Sequence, residues 1–166
     1  MTMTEIFIEK CREDARLPAY AHDGDAGMDL YAAEEVIIEP GKSALVPVGI
    51  KLAIPYGYEV QIRPRSGVSL KTPLRIPNAP GTIDCGYRDE VNVIIYNDSF
   101  MHEEGVKDVM TIDQKGCVHG TYKIRKGDRI AQMVVAKVEY CKFVETDNVK
   151  AIGEDRGGGF GSSGVN

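Results

Sequence analysis

Short apolar runs rich in Val, Ile and Tyr recur along this chain, each closed by Gly, Pro, Asp or Asn. None extends with the 3.6-residue rhythm of a long amphipathic helix. β-Branched and aromatic side chains suit a pleated surface, and the punctuating residues supply turns, so the pattern predicts strands. We assign them to Glu5–Lys10, Val36–Glu39, Ala44–Ile54, Tyr58–Arg63, Val91–Asn97, Val109–Asp113 and Ile130–Tyr140. Tyr58-Glu59-Val60-Gln61-Ile62-Arg63 alternates apolar and polar, as a half-buried strand should. One short helix is predicted at Ser66–Lys71, capped by Ser66 after Pro64-Arg65. Many short strands joined by such turns indicate an all-β sandwich, jelly roll or barrel. A length of 166 residues suits a single domain.

A net charge of −5 argues against a broad basic surface for nucleic acid, but not against a small anion held by local arginines. No apolar stretch approaches a membrane span, and the N-terminus lacks the pattern of a signal peptide. The four cysteines (Cys11, Cys85, Cys117, Cys141) are widely spaced without a Cys-x-x-Cys pair, so reduced thiols in a cytoplasmic protein are expected. Cys117, His119 and His102 lack the spacing and the fourth ligand of a closed zinc site.

Five segments could carry chemistry. Gly81-Thr82-Ile83-Asp84-Cys85-Gly86-Tyr87 reads as a glycine-flanked turn between an extended run and a β-rich one. A carboxylate on a loop held by strands is well placed to act, although Asp in such a turn is commonly structural. Pro64-Arg65-Ser66-Gly67-Val68-Ser69-Leu70-Lys71 is either a surface helix or a helix start whose free amides receive phosphate with Arg65 and Ser66. In Ala26-Gly27-Met28-Asp29-Leu30-Tyr31, Asp29 sits in an apolar frame and needs a hydrogen-bond donor or a metal-bound water. Lys126-Gly127-Asp128-Arg129-Ile130-Ala131-Gln132 reads as a turn and a buried strand, with Gln132 either a satisfied core amide or a ligand contact. The last ten residues hold five glycines around Phe160. They form either a flexible end or a wrap in which Arg156 and successive amides bind an anion while the ring covers a base. Although Gly159–Gly164 fits G-x-G-x-x-G, no helix can follow it, so a dinucleotide fold is excluded.

In chain order, AGMDLYAA, PRSGVSLK, NAPGTIDCGY, GDRIAQ and RGGGFGSSG resemble the five motifs of the trimeric dUTP diphosphatases (dUTPases). The resemblance runs from about Ala26 to Gly164. It implies a distorted jelly-roll β-barrel, a homotrimer whose three active sites each draw on three subunits, and hydrolysis of dUTP to dUMP and pyrophosphate. By the same resemblance Asp84 orients and deprotonates the attacking water, Tyr87 lies against the deoxyribose, and Asn78 with the backbone of Gly81, Thr82 and Ile83 reads uracil. Arg65, Ser66 and Gly67 cradle the phosphates, Gln132 contacts phosphate, and Asp29 helps to hold Mg²⁺ through water. Arg156 grips the γ-phosphate, Phe160 covers the base, and Gly161, Ser162 and Ser163 complete the phosphate shell. The resemblance makes residues 154–166 a lid over a single domain.

The chain departs from the family pattern in three places. Asp89 stands where glycine is usual, the tail has one residue fewer between Arg156 and Phe160, and residues 99–120 form an insertion. The insertion resembles an extra segment of some bacteriophage members, and reads either as a surface excursion or as a site for a partner protein. Two other activities stay open: a dCTP deaminase or bifunctional enzyme with Glu90 as acid–base group, and a regulatory role through the insertion.

Overall fold

A computed structural model describes residues 3–100, 109–114 and 116–158. The strands are β1 (Phe7–Lys10), β2 (Ala19–Tyr20), β3 (Met28–Tyr31), β4 (Val36–Ile38), β5 (Ser43–Pro47), β6 (Ile50–Ala53) and β7 (Tyr58–Arg63). After the helix α1 (Ser66–Lys71) come β8 (Leu74–Arg75), β9 (Gly81–Ile83), β10 (Asn92–Asn97), β11 (Met110–Thr111), β12 (Tyr122–Ile124) and β13 (Arg129–Lys137). A 3₁₀ turn at Val149–Ala151 is the last described element. The chain is thus all-β apart from single short helical pieces, as its residue pattern predicts.

The largest sheet has the order β2-β3-β13-β7-β9, and every contact within it is antiparallel. Smaller sheets are β5-β10-β8, β11-β12-β4 and β1-β6. Inward-facing Leu30, Ile38, Val46, Ile50, Val60, Val93, Ile124 and Ile130 interdigitate in one core. The predicted Tyr58–Arg63 strand is found with the same bounds, and its Val60 and Ile62 are the buried pair.

Two predictions need correcting. The run Ala44–Ile54 is not one strand: it breaks at Gly49, whose φ of +77° is a left-handed conformation that a side chain resists. There is no room for one either, since a Cβ on Gly49 would lie 2.7 Å from that of Ala15. Ser66 is the first residue of α1 rather than its cap, a place taken by Arg65 without a side-chain hydrogen bond. Asp89 needs no special backbone, because among the described residues only glycines have positive φ.

The insertion leaves and rejoins the fold at a buried polar knot. Asn97, fully buried, donates from Nδ2 to the carbonyls of Ile38 and Gly120 at 2.8 Å each, and its Oδ1 accepts from the Ser99 amide. The Ser99 hydroxyl in turn accepts from the Gly120 amide at 3.0 Å. These bonds satisfy groups that would otherwise be buried without partners. Of the would-be zinc ligands, His119 instead accepts the Phe100 amide through Nδ1 and stacks on its ring. His102 lies outside the described residues.

Candidate active site

One corner of the large sheet gathers the charged and amide groups. Gln132 on β13 faces Asp29 on β3 on one side and Arg63 on β7 on the other, so three strands place their residues in one row. A bulge between Arg129 and Ala131 inserts one extra residue there, and such a kink re-aims neighbouring side chains. Arg129 donates to Oδ2 of Asp29 at 3.1 Å, while Arg65, arriving from the end of β7, donates to Oδ1 at 2.8 Å. Asp29 is therefore a carboxylate clamped between two guanidinium groups and largely shielded from solvent. The donor that its apolar frame demands is supplied twice over.

Gln132 donates through Nε2 to the Pro64 carbonyl at 2.9 Å, which leaves Oε1 as an acceptor toward the cleft. Gly27 makes room for this arrangement, because a Cβ there would collide with Oε1 of Gln132. The amides of Ser66 and Gly67 precede the first bond of the helix, which Val68 makes to the Arg65 carbonyl, so both point free of the intrahelical ladder. A polar cleft of about 490 Å³ is lined by Gly27, Asp29, Arg65, Ser66, Gly67 and Gln132, together with His22 and Asp25. This is a phosphate-shaped environment: cations, amide donors and one acceptor around a restrained acid. Sequence reading missed Arg129 as a site residue, although it stands inside the GDRIAQ segment.

The second corner is built on β9. Gly81, Thr82 and Ile83 pair with Ile62, Gln61 and Val60, so the first half of the predicted turn is in fact a strand. The turn proper is Asp84–Tyr87, closed by the Tyr87 amide on the Asp84 carbonyl at 3.1 Å. Arg88 braces it by donating to the carbonyls of Cys85 and Tyr87 at 2.6 and 2.8 Å. The Tyr87 hydroxyl donates to the Glu90 carbonyl at 2.9 Å, which fixes the ring beside an exposed Asp84. Upstream, Asn78 is exposed and Gly81 packs so closely that a Cβ would lie 3.1 Å from Nδ2 of Asn78. A cis peptide between Ala79 and Pro80 shapes the bend between them.

Glu90 is already occupied. Arg12 donates to both its oxygens, at 2.6 and 3.0 Å, and the buried Gly49 amide donates at 2.9 Å. The Arg12 hydrogen bonds hold the Glu90 carboxyl below its ordinary range, and Glu90, followed by Glu34, raises the Arg12 guanidinium. A carboxylate so held is a poor proton donor near neutral pH.

The two corners do not meet within one chain. Asp29 is level with Arg63, and Asp84 with Glu59, four residues back along β7. At a strand spacing of ~4.8 Å and a rise of ~3.4 Å per residue, Asp29 and Asp84 stand roughly 20 Å apart. Arg156 is exposed and makes no ion pair among the described residues. Phe160, Gly161, Ser162 and Ser163 lie outside the described residues.

The dUTPase family model matches residues 13–102. A deoxyuridine 5'-triphosphate nucleotidohydrolase of Alkaliphilus metalliredigens is 42% identical over 98% of this chain and 99% of its own. A mutant dUTPase of Staphylococcus bacteriophage 80alpha, solved with dUpNHpp, superposes with a TM-score of 0.88 at 32% identity, covering 98% of this chain and 100% of that one. A mutant dUTPase from phage phi11 of S. aureus, described as coordinating a structural Mg(II) ion, superposes with a TM-score of 0.79 at 30% identity over 89% of this chain and 99% of that one. With the matched region spanning Asp29, Arg65 and Asp84, and similarity extending over nearly its whole length, the chain belongs to the dUTPase family.

Proposed function

We propose that the protein hydrolyses dUTP to dUMP and pyrophosphate. The observation that carries this reading is the pair of corners: an exposed carboxylate beside a fixed tyrosine, and a separate arginine–amide cradle on the same sheet. Asp84 deprotonates a water whose oxygen bonds to the α-phosphorus, and the bond from the α-phosphorus to the α–β bridging oxygen breaks, so that pyrophosphate leaves with that oxygen. Asn78 and the β9 backbone bind the uracil edge, and Tyr87 packs on the sugar. Arg65, Ser66, Gly67 and Gln132 hold the phosphates and neutralise the charge that develops on them.

No three or more acidic, histidine or cysteine side chains converge on a metal position among the described residues. The cleft's donors, Asp29 and Oε1 of Gln132, fit an ion that keeps its waters and takes substrate phosphates rather than a protein cage. Mg²⁺ bound there supplies neutralising charge to the triphosphate, with Asp29 contacting its waters.

The separation of the corners supports a homotrimer in which each site combines the phosphate corner of one copy with the Asp84 corner of another. From Glu139 onward the described segment is exposed and displays Phe143, 93% exposed, with Val144 and Ile152, an apolar surface suited to lying against a neighbouring copy. Residues 154–166, with Arg156 and Phe160, then act as the lid, in a single cytoplasmic domain. The insertion at residues 99–120 is no simple surface excursion, because its Met110 is buried in the core on β11, which pairs with β12; its exposed Phe100 and Val109 remain available to a protein partner.

Pyrophosphate release from dUTP, dTTP, dCTP and UTP, with and without Mg²⁺, tests the reading. We expect a strong preference for dUTP that requires Mg²⁺, and loss of turnover by at least about a thousandfold in Asp84→Asn with binding of a non-hydrolysable dUTP analogue retained. Equal rates with dTTP, or full turnover in Asp84→Asn, would overturn it.

A further inference from the structure

Behind the phosphate corner lies a second cleft, of about 390 Å³, that the proposed reaction does not use. Arg65, Gly67 and Arg129 line both clefts, so the Asp29 clamp forms the partition between them. The second cleft is also lined by Arg16 and Lys71, neither of which has a carboxylate partner among the described residues. Its two acids, Asp113 and Asp128, are both engaged by Arg125 at 2.9 and 3.1 Å. Four cationic groups thus line the cleft against two carboxylates already paired with Arg125, in a chain whose net charge is −5.

Arg16 is held in place rather than trailing in solvent. Its neighbour Ala15 is buried in the core, its guanidinium lies 5.5 Å from the centre of the Tyr31 ring, and its Nη2 comes to 3.5 Å from where a Cβ on Gly127 would stand. Preorganisation of this kind lowers the entropy lost when an anion is bound. Four cations, Arg16, Arg65, Lys71 and Arg129, border the one cleft, so a ligand of linked phosphates can engage more of them at once than a single phosphate can.

We propose that this cleft is a second anion site, selective for linked phosphates such as pyrophosphate, coupled to the phosphate corner through Arg65 and Arg129. An anion here competes with Asp29 for those guanidinium groups and so loosens the cradle, and a filled cradle weakens the second site by the same factor. The inference rests on the proposed function only in taking the reaction as the source of pyrophosphate.

The test titrates inorganic pyrophosphate and inorganic phosphate into the full chain by calorimetry, without divalent metal, and follows pyrophosphate inhibition of dUTP hydrolysis. Pyrophosphate is expected to bind at least about tenfold more tightly than phosphate and to inhibit with a non-competitive component. Lys71→Ala and Arg16→Ala should each weaken one class of pyrophosphate site by at least about tenfold and remove that component, with kcat and KM for dUTP changing less than about twofold. Both residues are exposed, and an unchanged circular dichroism spectrum checks the fold. Pyrophosphate binding untouched by both variants, purely competitive inhibition in the parent, or a KM for dUTP that rises in step with the lost binding would each overturn the second site. A protein that binds pyrophosphate through Arg16 and Lys71 but leaves dUTP intact would refute the proposed function and not this one.

Discussion

Replacing Glu90 separates a structural carboxylate from a catalytic one. In Glu90→Ala the buried Gly49 amide loses its acceptor, and an orphaned buried donor costs about 1–3 kcal/mol. The Arg12 pair adds less than its short distances suggest, because Arg12 is 37% exposed and keeps Glu34 at 2.6 Å; we count it as about 1 kcal/mol. The sum, about 2–4 kcal/mol, corresponds to a Tm lowered by about 5–12 °C for a chain of this size. Glu90→Gln keeps an oxygen for the Gly49 amide and loses only the charge pair, so its Tm falls by about 2–4 °C. Differential scanning calorimetry reads both values, and product analysis with dCTP and dUTP reads the chemistry, which neither change should redirect. The pH dependence has a definite sign. Because Glu90 is depressed in the folded state, its contribution is fully present above the unfolded carboxylate pKa. It is lost as the pH falls through the lower folded value, and the Tm gap between parent and Glu90→Gln should close there. Two results would refute the reasoning: variants as stable as the parent at neutral pH, or dUTP formed from dCTP by the parent and not by a stable Glu90→Gln.

Three further substitutions probe the frame around the site. Gly27→Ala should drive Gln132 off the Pro64 carbonyl, reducing kcat/KM by about tenfold or more while stability changes by no more than about 1.5 kcal/mol; steady-state kinetics beside a denaturant titration checks it. Asn97→Ala takes the side-chain partner from the Ile38 carbonyl and the Ser99 amide, while the Gly120 carbonyl keeps the Ser99 hydroxyl, and should cost about 2–4 kcal/mol in denaturant unfolding, with the surviving folded fraction turning over normally. Gly49→Ala meets both a left-handed backbone and the Ala15 and Ala33 methyl groups, so a loss of about 2–4 kcal/mol is expected, and an unchanged Tm would show that the turn can relax.

Where local chemistry decides the outcome, the sequence was readable. Alternation alone locates Tyr58–Arg63, and a serine just after Pro64-Arg65 locates Ser66–Lys71, because each depends on neighbours along the chain. The break at Gly49 was hidden because Pro47-Val48-Gly49 sits inside an unbroken apolar stretch, and the left-handed φ that ends β5 leaves no mark beyond one glycine. β9 was hidden for the opposite reason: three residues led by a glycine are too few to show a period, and only their register against β7 makes them a strand.

The same distinction runs through the site. Asp84, Arg65 and Gln132 are legible as segments, yet what they touch is set by strand order and register. The clamp on Asp29 joins residues 36 and 100 positions apart, and the lock on Glu90 reaches back 78 positions to Arg12. The clamp exists only once β3, β13 and β7 lie side by side, and the lock only once β1 pairs with β6 and β10 with β5. They change the reading of individual acids: Glu90, which as a sequence residue could serve as an acid–base group, becomes a strut, and Asp29 becomes the holder of two arginines. Register also divides the site, since a shift of four residues along β7 and three strand spacings across the sheet separate Asp84 from the cradle of its own chain. With Asp84 and the arginine cradle roughly 20 Å apart on one sheet, the proposed reaction requires that the two groups around one nucleotide come from different copies.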